Sequence, residues 1–280
     1  MGATDLIAIT GASGHIGRIV SRLLSSAGAR TRLVVRDPNR VSTDSTNVKR
    51  ATYSDRDAAI RALTGVDALF VVSAAESADR LEQHRTFIDA AAAAGVHHVV
   101  YTSFLGAAPK ATFTLARDHW ETEEHLRTSG MNWTILRDSF YLDFLPTLAG
   151  DDGVIRGPAG VGRVGAVARV DVARSAAAVL ADLDSHAGQT YDLTGPEALD
   201  LTQVARTITE VTGRATTYQQ ERIEEAYASR HPYGVPEWQL DAWVSTYTAI
   251  AAGELALLTD TVERLTGLSP LNLIDVLLSP

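Results

Sequence analysis

The feature that most constrains this chain is a glycine-rich turn over residues 10–17, Thr10-Gly11-Ala12-Ser13-Gly14-His15-Ile16-Gly17. The apolar run before it, residues 6–9, is typical of a buried strand, and the apolar residues after it recur at helical spacing as far as Leu24. Strand, glycine-rich turn and helix in this order are typical of a dinucleotide-binding βαβ unit. The sequence therefore predicts a pyrophosphate site at the N-terminus of the first helix, where backbone N–H groups are free.

Each glycine of the turn has an expected task. Gly11 permits the tight turn, Gly14 lets the backbone approach a pyrophosphate, and Gly17 lets the helix pack closely on the strand. The ends of two later strands are expected beside the ribose and nicotinamide, because ligands of open parallel sheets bind at the carboxyl ends of the strands. The predicted cofactor-binding residues are Thr10, Gly11, Ser13, Gly14, His15, Ile16, Gly17, Arg36, Ser73, Ala74 and Ser103.

The residue after the second predicted strand indicates which dinucleotide binds. That strand, residues 31–35, ends at Arg36, about 20 residues past the glycines, where a ribose-reading residue is expected. A guanidinium offers a fork of donors and a fixed charge to a 2′-phosphate, so we predict NADPH rather than NADH. Asp37 follows directly and would favour NAD if its carboxylate turned inward. Arg40 could assist on the phosphate.

The rest of the first half alternates strands with helices of ten to fifteen residues, which indicates right-handed βαβ units. The predicted strands are residues 66–72, 97–102, 132–136 and 189–193, and the predicted helices include residues 81–94 and 115–128. The expected fold class is α/β, a doubly wound parallel sheet of Rossmann type with a smaller, interleaved helical C-terminal lobe.

We expect two parts along the chain. Residues 1–150 form the dinucleotide-binding core, and residues 171–195 return to its sheet, with Asp171 expected to cap a helix. Residues 151–280 form mainly the substrate-pocket lobe. Its two tryptophans, Trp238 and Trp243, are expected in packing or on a dimer face, which leaves a homodimer open.

Composition excludes several classes of partner and chemistry. The net charge of −9 argues against nucleic acid or an anionic membrane as a partner, because both require clustered positive charge. The chain has no cysteine, which removes disulfides, thiolate catalysis and zinc–thiolate sites. No cluster of metal ligands is apparent. The first strand begins within a few residues of Met1, which leaves no room for a signal peptide, so a cytoplasmic location is expected.

Further motifs extend along the whole length. They are Val35-Arg36-Asp37, Gly65-Val66-Asp67, Thr102-Ser103, Leu115-Ala116-Arg117-Asp118-His119, Thr122-Glu123, Thr134-Ile135-Leu136-Arg137, Pro236-Glu237-Trp238, and Ala251 with Gly253-Glu254. With the glycine-rich turn, they give the chain a resemblance to the NmrA-like group of atypical short-chain dehydrogenase/reductases. The resemblance is strongest to the branch of quinone oxidoreductases and triphenylmethane reductases. It implies an NAD(P)H-dependent reductase of quinone-reductase type.

In better-known short-chain dehydrogenases, a Tyr and a Lys four residues later supply general acid–base catalysis. That pattern, placed on this chain, puts Leu115 at the Tyr position and His119 at the Lys position. Leu115 cannot transfer a proton. The resemblance therefore implies hydride transfer to a quinone or another conjugated acceptor without the Tyr–Lys pair. His119, which titrates in the right range, or water would give any proton, and His119 and Ser103 are the predicted catalytic residues.

Two other functions remain open at this point. One is a non-catalytic NAD(P) sensor that binds a protein partner, as NmrA-like regulators do. The other is a redox-neutral enzyme, an epimerase or dehydratase, that retains its cofactor.

The predicted pocket suits a small aromatic or quinonoid substrate. Apolar side chains follow two of the strand ends, and apolar walls with few polar groups fit a flat ring. The residues predicted to line this pocket are Phe104, Leu115, Phe140 and Tyr141.

Overall fold

The computed structural model describes residues 6–41 and 47–279. The strands of this part are β1 (Leu6–Thr10), β2 (Arg30–Val35), β3 (Val48–Arg50), β4 (Ala68–Val71), β5 (His98–Phe104), β6 (Asn132–Asp138), β7 (Val154–Gly157), β8 (Arg163–Val164), β9 (Gln189–Leu193), β10 (Leu199–Asp200) and β11 (Thr217–Gln220). The helices are α1 (His15–Ser26), α2 (Arg56–Leu63), α3 (Arg80–Ala93), α4 (Thr114–Arg127), α5 (Arg169–Ala181), α6 (Leu183–His186), α7 (Leu201–Thr212), α8 (Ile223–Arg230), α9 (Glu237–Ala251), α10 (Thr261–Thr266) and α11 (Leu273–Leu278).

A seven-stranded sheet carries the order β3-β2-β1-β4-β5-β6-β9. The chain winds outward in one direction from β1 and in the other from β4, and the pairs β1–β2 and β1–β4 are both parallel. This order places a topological switch point between β1 and β4, where open α/β sheets bind their ligands. The predicted doubly wound α/β fold is confirmed.

The central strands are buried along their whole length. Every residue of β1, β4 and β5 is buried, as expected of parallel strands that are covered on both faces. One apolar cluster joins these strands to α2 and α3, with Leu63 of α2 and Phe87 of α3 fully buried against Leu69 and Val99. This packing holds α3 against the sheet.

The chain forms two compact units. The first runs through Ser103 and then takes in Asp118–Arg137 and Val172–Tyr191. The second contains Phe104–Arg117, Asp138–Asp171 and the chain from Asp192 onward. These units differ from the expected parts, 1–150 and 151–280, because residues 104–117 and 138–150 group with the later part of the chain. The assignment of cofactor and substrate to these two parts stays a prediction.

The second unit has its own core. β7 pairs in parallel with β11 and β8 pairs antiparallel with β10, so residues 154–164 contribute two short strands to this unit. A single apolar cluster includes Ile155, Leu201, Tyr247 and Leu273. Gly157 is required in this core, because a Cβ there would enter the ring of Tyr247.

Local differences from the sequence expectations have simple causes. Asp171 does not cap α5 but lies inside its first turn, and its Oδ2 accepts a hydrogen bond from Leu271 N at 2.7 Å. The short edge strand β3 and the last helix, α11, were not predicted, since neither has a long periodic pattern. None of the helices in residues 6–41 and 47–279 is long and apolar enough to cross a membrane.

Candidate functional site

The glycine-rich turn has the geometry that its spacing predicts. Gly11 has φ +63°, a conformation that favours glycine, and its carbonyl accepts from Gly14 N at 2.8 Å. A Cβ on Gly17 would lie 2.5 Å from the carbonyl carbon of Gly11, so only glycine lets α1 begin this close to β1. A Cβ on Gly14 would meet Gly11 O at 3.2 Å and otherwise open space. The exposed face of Gly14 is therefore accessible to a ligand.

The N-terminus of α1 fits a phosphate group. Its N-cap is Gly14, which provides no side-chain cap, and the first turn carries no acidic residue. The first N–H groups of a helix lack intrahelical partners, so a turn that leaves them uncapped can donate to phosphate oxygens. Ser13 and His15 are exposed at this point, whereas Ile16 is buried under the helix. The residues present thus fit the pyrophosphate of a dinucleotide.

Arg36 is exposed directly after β2, and the neighbouring acid is engaged elsewhere. Asp37 Oδ1 accepts from Asn39 N at 3.0 Å and caps the short 3₁₀ turn Pro38–Arg40. One oxygen of the Asp37 carboxylate is therefore used within its own turn. Burial raises the pKa of the Tyr53 hydroxyl. The hydrogen bond with Thr10 and the positive charge of Arg36 offset part of that rise.

Thr10 uses its side chain to join strands. Its hydroxyl lies 3.2 Å from Phe70 O, accepts from Val72 N at 2.9 Å and lies 2.6 Å from the hydroxyl of Tyr53. Tyr53 also reaches Val72 O at 2.6 Å and stacks on Phe87. The hydroxyl of Thr10 is thus hydrogen-bonded within the first unit. That Thr10 binds the cofactor stays a prediction.

The loop between β4 and α3 is held by buried side chains. Ser73 N donates to Thr102 Oγ1 at 2.9 Å, and Ala74 N donates to His84 Nε2 at 2.8 Å. Arg80 Nε donates to Ala74 O at 3.0 Å. Sequence reasoning selected Ser73 and Ala74 but missed the three side chains that fix them. The signal available for two of them was the i, i+4 spacing of Arg80 and His84, which places both on one face of α3, although the predicted helix began one residue after Arg80.

His119 lies in the same buried network. Its Nε2 accepts from Arg80 Nη2 at 2.8 Å, and its Nδ1 lies 2.9 Å from the hydroxyl of Tyr101. Burial first, and then the positive charge of Arg80, lower the pKa of His119 well below its ordinary value. The expectation that His119 titrates in the range of a proton source is therefore corrected: the ring is neutral and both nitrogens have partners. Whether it acts in catalysis stays a prediction.

The side chain of Ser103 contacts a buried ionic cluster. Its hydroxyl donates to Glu123 Oε1 at 2.5 Å, although Leu115 offers no tyrosine hydroxyl to pair with it. Glu123 is fully buried and also accepts two bonds from Arg137, at 2.8 and 2.6 Å, and one from Arg127 at 3.0 Å. Glu123 and the two arginines were not predicted as site residues. The carboxylate fixes the rotamer of Ser103.

The residues predicted for the substrate pocket lie in the second unit. Phe104 and Phe140 are in edge contact with ring centroids 5.1 Å apart, and Phe113, which sequence reasoning missed, lies 4.9 Å from Phe104. Phe140 and Leu115 are partly exposed and pack against this unit's core. These apolar side chains belong to one packed cluster.

Tyr141 differs from the other predicted pocket residues. Its hydroxyl donates to Asp138 Oδ2 at 2.5 Å, and the guanidinium of Arg169 lies 5.0 Å from its ring centre. Burial and the Asp138 carboxylate raise the pKa of Tyr141 well above its ordinary value. Its hydroxyl is therefore a poor proton donor to a substrate.

Within residues 6–41 and 47–279, no group of three His, Asp or Glu side chains could hold a metal ion.

A family model described as NAD(P)H-binding matches residues 11–183. Quinone oxidoreductase 2 of Escherichia coli (strain K12) is 34% identical over 270 residues, which cover 94% of this chain and 94% of that protein. The NAD(P)H azoreductase of Xenophilus azovorans is 31% identical over 268 residues, 94% of this chain and 93% of its own.

Solved structures agree with this similarity. The NADPH-dependent quinone oxidoreductase of Escherichia coli, crystallised with NADPH, superposes with a TM-score of 0.87 at 33% identity, over 97% of this chain and 98% of that one. Triphenylmethane reductase of Citrobacter sp. superposes with a TM-score of 0.85 at 29% identity, over 97% of each chain.

Proposed function

This chain belongs to the NAD(P)H-binding, NmrA-like family, and on that premise we propose that it is an NADPH-dependent reductase that transfers hydride to a quinone or another conjugated acceptor. One observation carries the choice of cofactor. Arg36 is exposed after β2 while the carboxylate of Asp37 caps its own turn. NADPH differs from NADH by a 2′-phosphate, and an exposed guanidinium, next to a carboxylate that caps its own turn, favours that phosphate.

The first unit supplies the groups that would hold the cofactor. The N-terminus of α1, uncapped at Gly14, would bind the pyrophosphate, and Arg36 would bind the 2′-phosphate. The backbone at Ser73 and Ala74 would receive the ribose and nicotinamide end. Bound NADPH supplies the hydride. The similar Escherichia coli quinone oxidoreductase was crystallised with NADPH, which supports the choice of cofactor.

The proposed reaction needs no protein acid. Leu115 cannot donate a proton, His119 is neutral with both nitrogens engaged, and the hydroxyl of Ser103 is committed to Glu123. A quinone accepts hydride and spreads the resulting charge over its conjugated ring, so water can supply the one proton that completes the hydroquinone. NADPH is oxidised to NADP⁺ in the same step. An isolated carbonyl, which requires protonation as hydride arrives, would be a poor substrate.

The acceptor is proposed to lie against the apolar surface of the second unit. Leu115 and Phe140 are its partly exposed members, backed by Phe104 and Phe113. Such a surface fits a flat conjugated ring, because it offers area and few polar groups. The names of the similar proteins, a quinone oxidoreductase, an azoreductase and a triphenylmethane reductase, refer to conjugated acceptors of this kind.

The test is a direct assay of nicotinamide absorbance. Purified protein is mixed with NADPH or NADH, and a benzoquinone, a naphthoquinone, an azo dye and a simple aliphatic ketone are added separately. We expect oxidation that requires both protein and conjugated acceptor, that is faster with NADPH, and that is absent with the ketone. Tight NADPH binding without oxidation of any acceptor would contradict the proposal and favour the sensor function.

A further inference from the structure

Two side chains of α3 hold both backbone groups of one loop residue. Arg80 Nε donates to Ala74 O at 3.0 Å, and Ala74 N donates to His84 Nε2 at 2.8 Å. Arg80 and His84 are four residues apart, so they share one face of the helix. Because Ala74 is bonded through both its N–H and its C=O, the direction of this peptide is fixed by α3.

The hydrogen bonds of His84 determine its tautomer. Nε2 accepts from Ala74 N, so the ring proton is on Nδ1, which donates to Thr122 Oγ1 at 2.9 Å. Thr122 in turn donates to the carbonyl of Asp118 at 2.7 Å. The His84 residue is 2% exposed, and burial together with the charge of Arg80 lowers its pKa to about 3. Its acceptor for Ala74 is therefore present at every physiological pH.

The charged side chain of Arg80 is buried in the core, which costs free energy. It is 4% exposed, its Nη2 donates to His119, and its Nη1 forms an ion pair with Asp118 Oδ2 at 3.6 Å, slightly longer than a hydrogen bond. Nη1 has no hydrogen-bond partner among the described residues. A buried guanidinium with one unmet nitrogen costs stability that an apolar side chain would not. What Arg80 does provide is two donated hydrogen bonds, to Ala74 O and to His119 Nε2, which connect the loop to α4.

We propose that Arg80 and His84 are positioning residues that fix the Ser73-Ala74 loop in the conformation that receives the ribose and nicotinamide end of the cofactor. The proposal rests on the proposed function only where it takes this loop as cofactor-binding. Neither side chain is assigned contact with the cofactor or a step in hydride transfer. Their effect is on the affinity for NADPH, not on the turnover of the bound complex.

Two substitutions of His84 separate the acceptor from the shape of the ring. His84→Leu removes the acceptor and leaves Ala74 N–H unpaired, and we expect the Kd and KM for NADPH to rise about tenfold, the effect of one lost hydrogen bond. The kcat at saturating NADPH should stay within about twofold, since no reacting group has changed. In His84→Gln, the amide oxygen reaches the position of Nε2, and we expect most of the affinity to return.

Arg80→Lys tests the other half of the pair. Lysine keeps the charge but has a single ammonium, which cannot donate to Ala74 O and His119 in the geometry of the planar guanidinium fork. We expect a rise in the Kd for NADPH similar to that of His84→Leu, again with kcat nearly unchanged.

The chain offers matched controls on the same two helices. Arg85 of α3 pairs with Glu121 at 3.0 Å, and His125 of α4 pairs with Asp89 at 2.7 Å. Both pairs connect α3 and α4 and are accessible to solvent, and neither pair includes Ser73 or Ala74. Arg85→Lys and His125→Gln should therefore leave the Kd for NADPH at the wild-type value.

The measurements are fluorescence titration with NADPH, steady-state kinetics and thermal melting of each variant. Folded His84→Leu and Arg80→Lys with wild-type Kd would overturn the proposal, as would an equal loss of affinity in the control variants. A loss of Tm with unchanged Kd would show that the two residues act on stability alone, which also overturns it. The titration needs no turnover, so it decides the role of the loop even if no acceptor is reduced and the proposed function fails.

Discussion

The two ends of the proposed cofactor site in the first unit are built in opposite ways. The end at α1 and β2 consists of backbone and exposed side chains: the turn from Gly11 to Gly17 and the solvent-facing Arg36. The end at β4 and β5 consists of backbone held from beneath by buried polar groups. Arg80 and His84 hold Ala74, and Glu123 holds Ser103.

This difference separates specificity from stability. A solvated arginine contributes little to folding, so the first end can change its preference for a cofactor without unfolding the chain. Buried charges are costly when unpaired, so changes at the second end affect folding as well as binding.

The largest effect is expected at Glu123. Glu123→Gln removes the carboxylate that pairs with Arg137 and Arg127, and should lower the free energy of unfolding by about 3 kcal/mol, the cost of breaking a buried ion pair. Glu124→Gln, one residue along α4, breaks an exposed pair with Arg127 and should cost about 0.5 kcal/mol or less. Urea unfolding of both variants measures the contrast. Equal costs would show that the second end is not stabilised by its buried charges.

The next effect is on NADPH binding at the glycine-rich turn. In Gly17→Ala, the new Cβ would lie 2.5 Å from the backbone of Gly11, so the turn must move. A displacement of this size should weaken NADPH binding by about 100-fold. Ser25→Ala, at the exposed end of the same helix, is the control and should bind normally. NADPH titration decides, and a Gly17→Ala variant with wild-type affinity would contradict the geometry.

A smaller effect, mainly on specificity, is expected at Arg36. Arg36→Asp should lower kcat/KM for NADPH by about 10- to 100-fold, the value of a charge-assisted contact to phosphate, and should reverse the preference toward NADH. Tm should change little because the side chain is exposed. Arg40→Asp, in the turn that Asp37 caps, is the matched charge reversal. If Arg40→Asp has the larger effect, the phosphate binds at Arg40 and the assignment of Arg36 is wrong.

A further effect, on the pH dependence of stability, is expected at the buried end. The pKa of His84 falls from 6.5 to about 3 on folding, so the unfolded chain binds an extra proton between these values. The contribution of neutral His84 to the free energy of unfolding is therefore fully present above pH 6.5. It decreases as the pH falls, by about 1.4 kcal/mol per pH unit. His84→Gln should remove that part of the slope between pH 6.5 and 5. An unchanged slope in urea titrations would show that His84 is protonated in the folded protein.

Other buried histidines add to the same slope. Burial lowers the pKa of His98 to about 4 and that of His119 well below its ordinary value. The wild-type stability should therefore decrease more steeply below pH 6.5 than His84 alone requires, and the residual slope of His84→Gln measures this remainder.

The sequence by itself determined the fold and one end of the site. The turn from Gly11 to Gly17, between a buried strand and an amphipathic helix, requires a particular backbone path, and backbone paths are local properties. The alternation of strands and helices then left few topologies, and the resemblance to the NmrA-like group is confirmed by the family match. Arg36 could be selected because its position depends only on its distance from the glycines.

Only the tertiary structure decided how the other end is built. Ser73, Ala74 and Ser103 could be selected as strand ends, but their partners come from α3, β5 and α4, between 6 and 29 residues away along the chain. Spacing places a side chain on a helix face but does not give its rotamer or its hydrogen-bond partner. For the same reason, His119 could not be recognised as a neutral, buried ring: its pKa depends on the packing of Arg80 and Tyr101 around it, and that packing exists only in the folded chain.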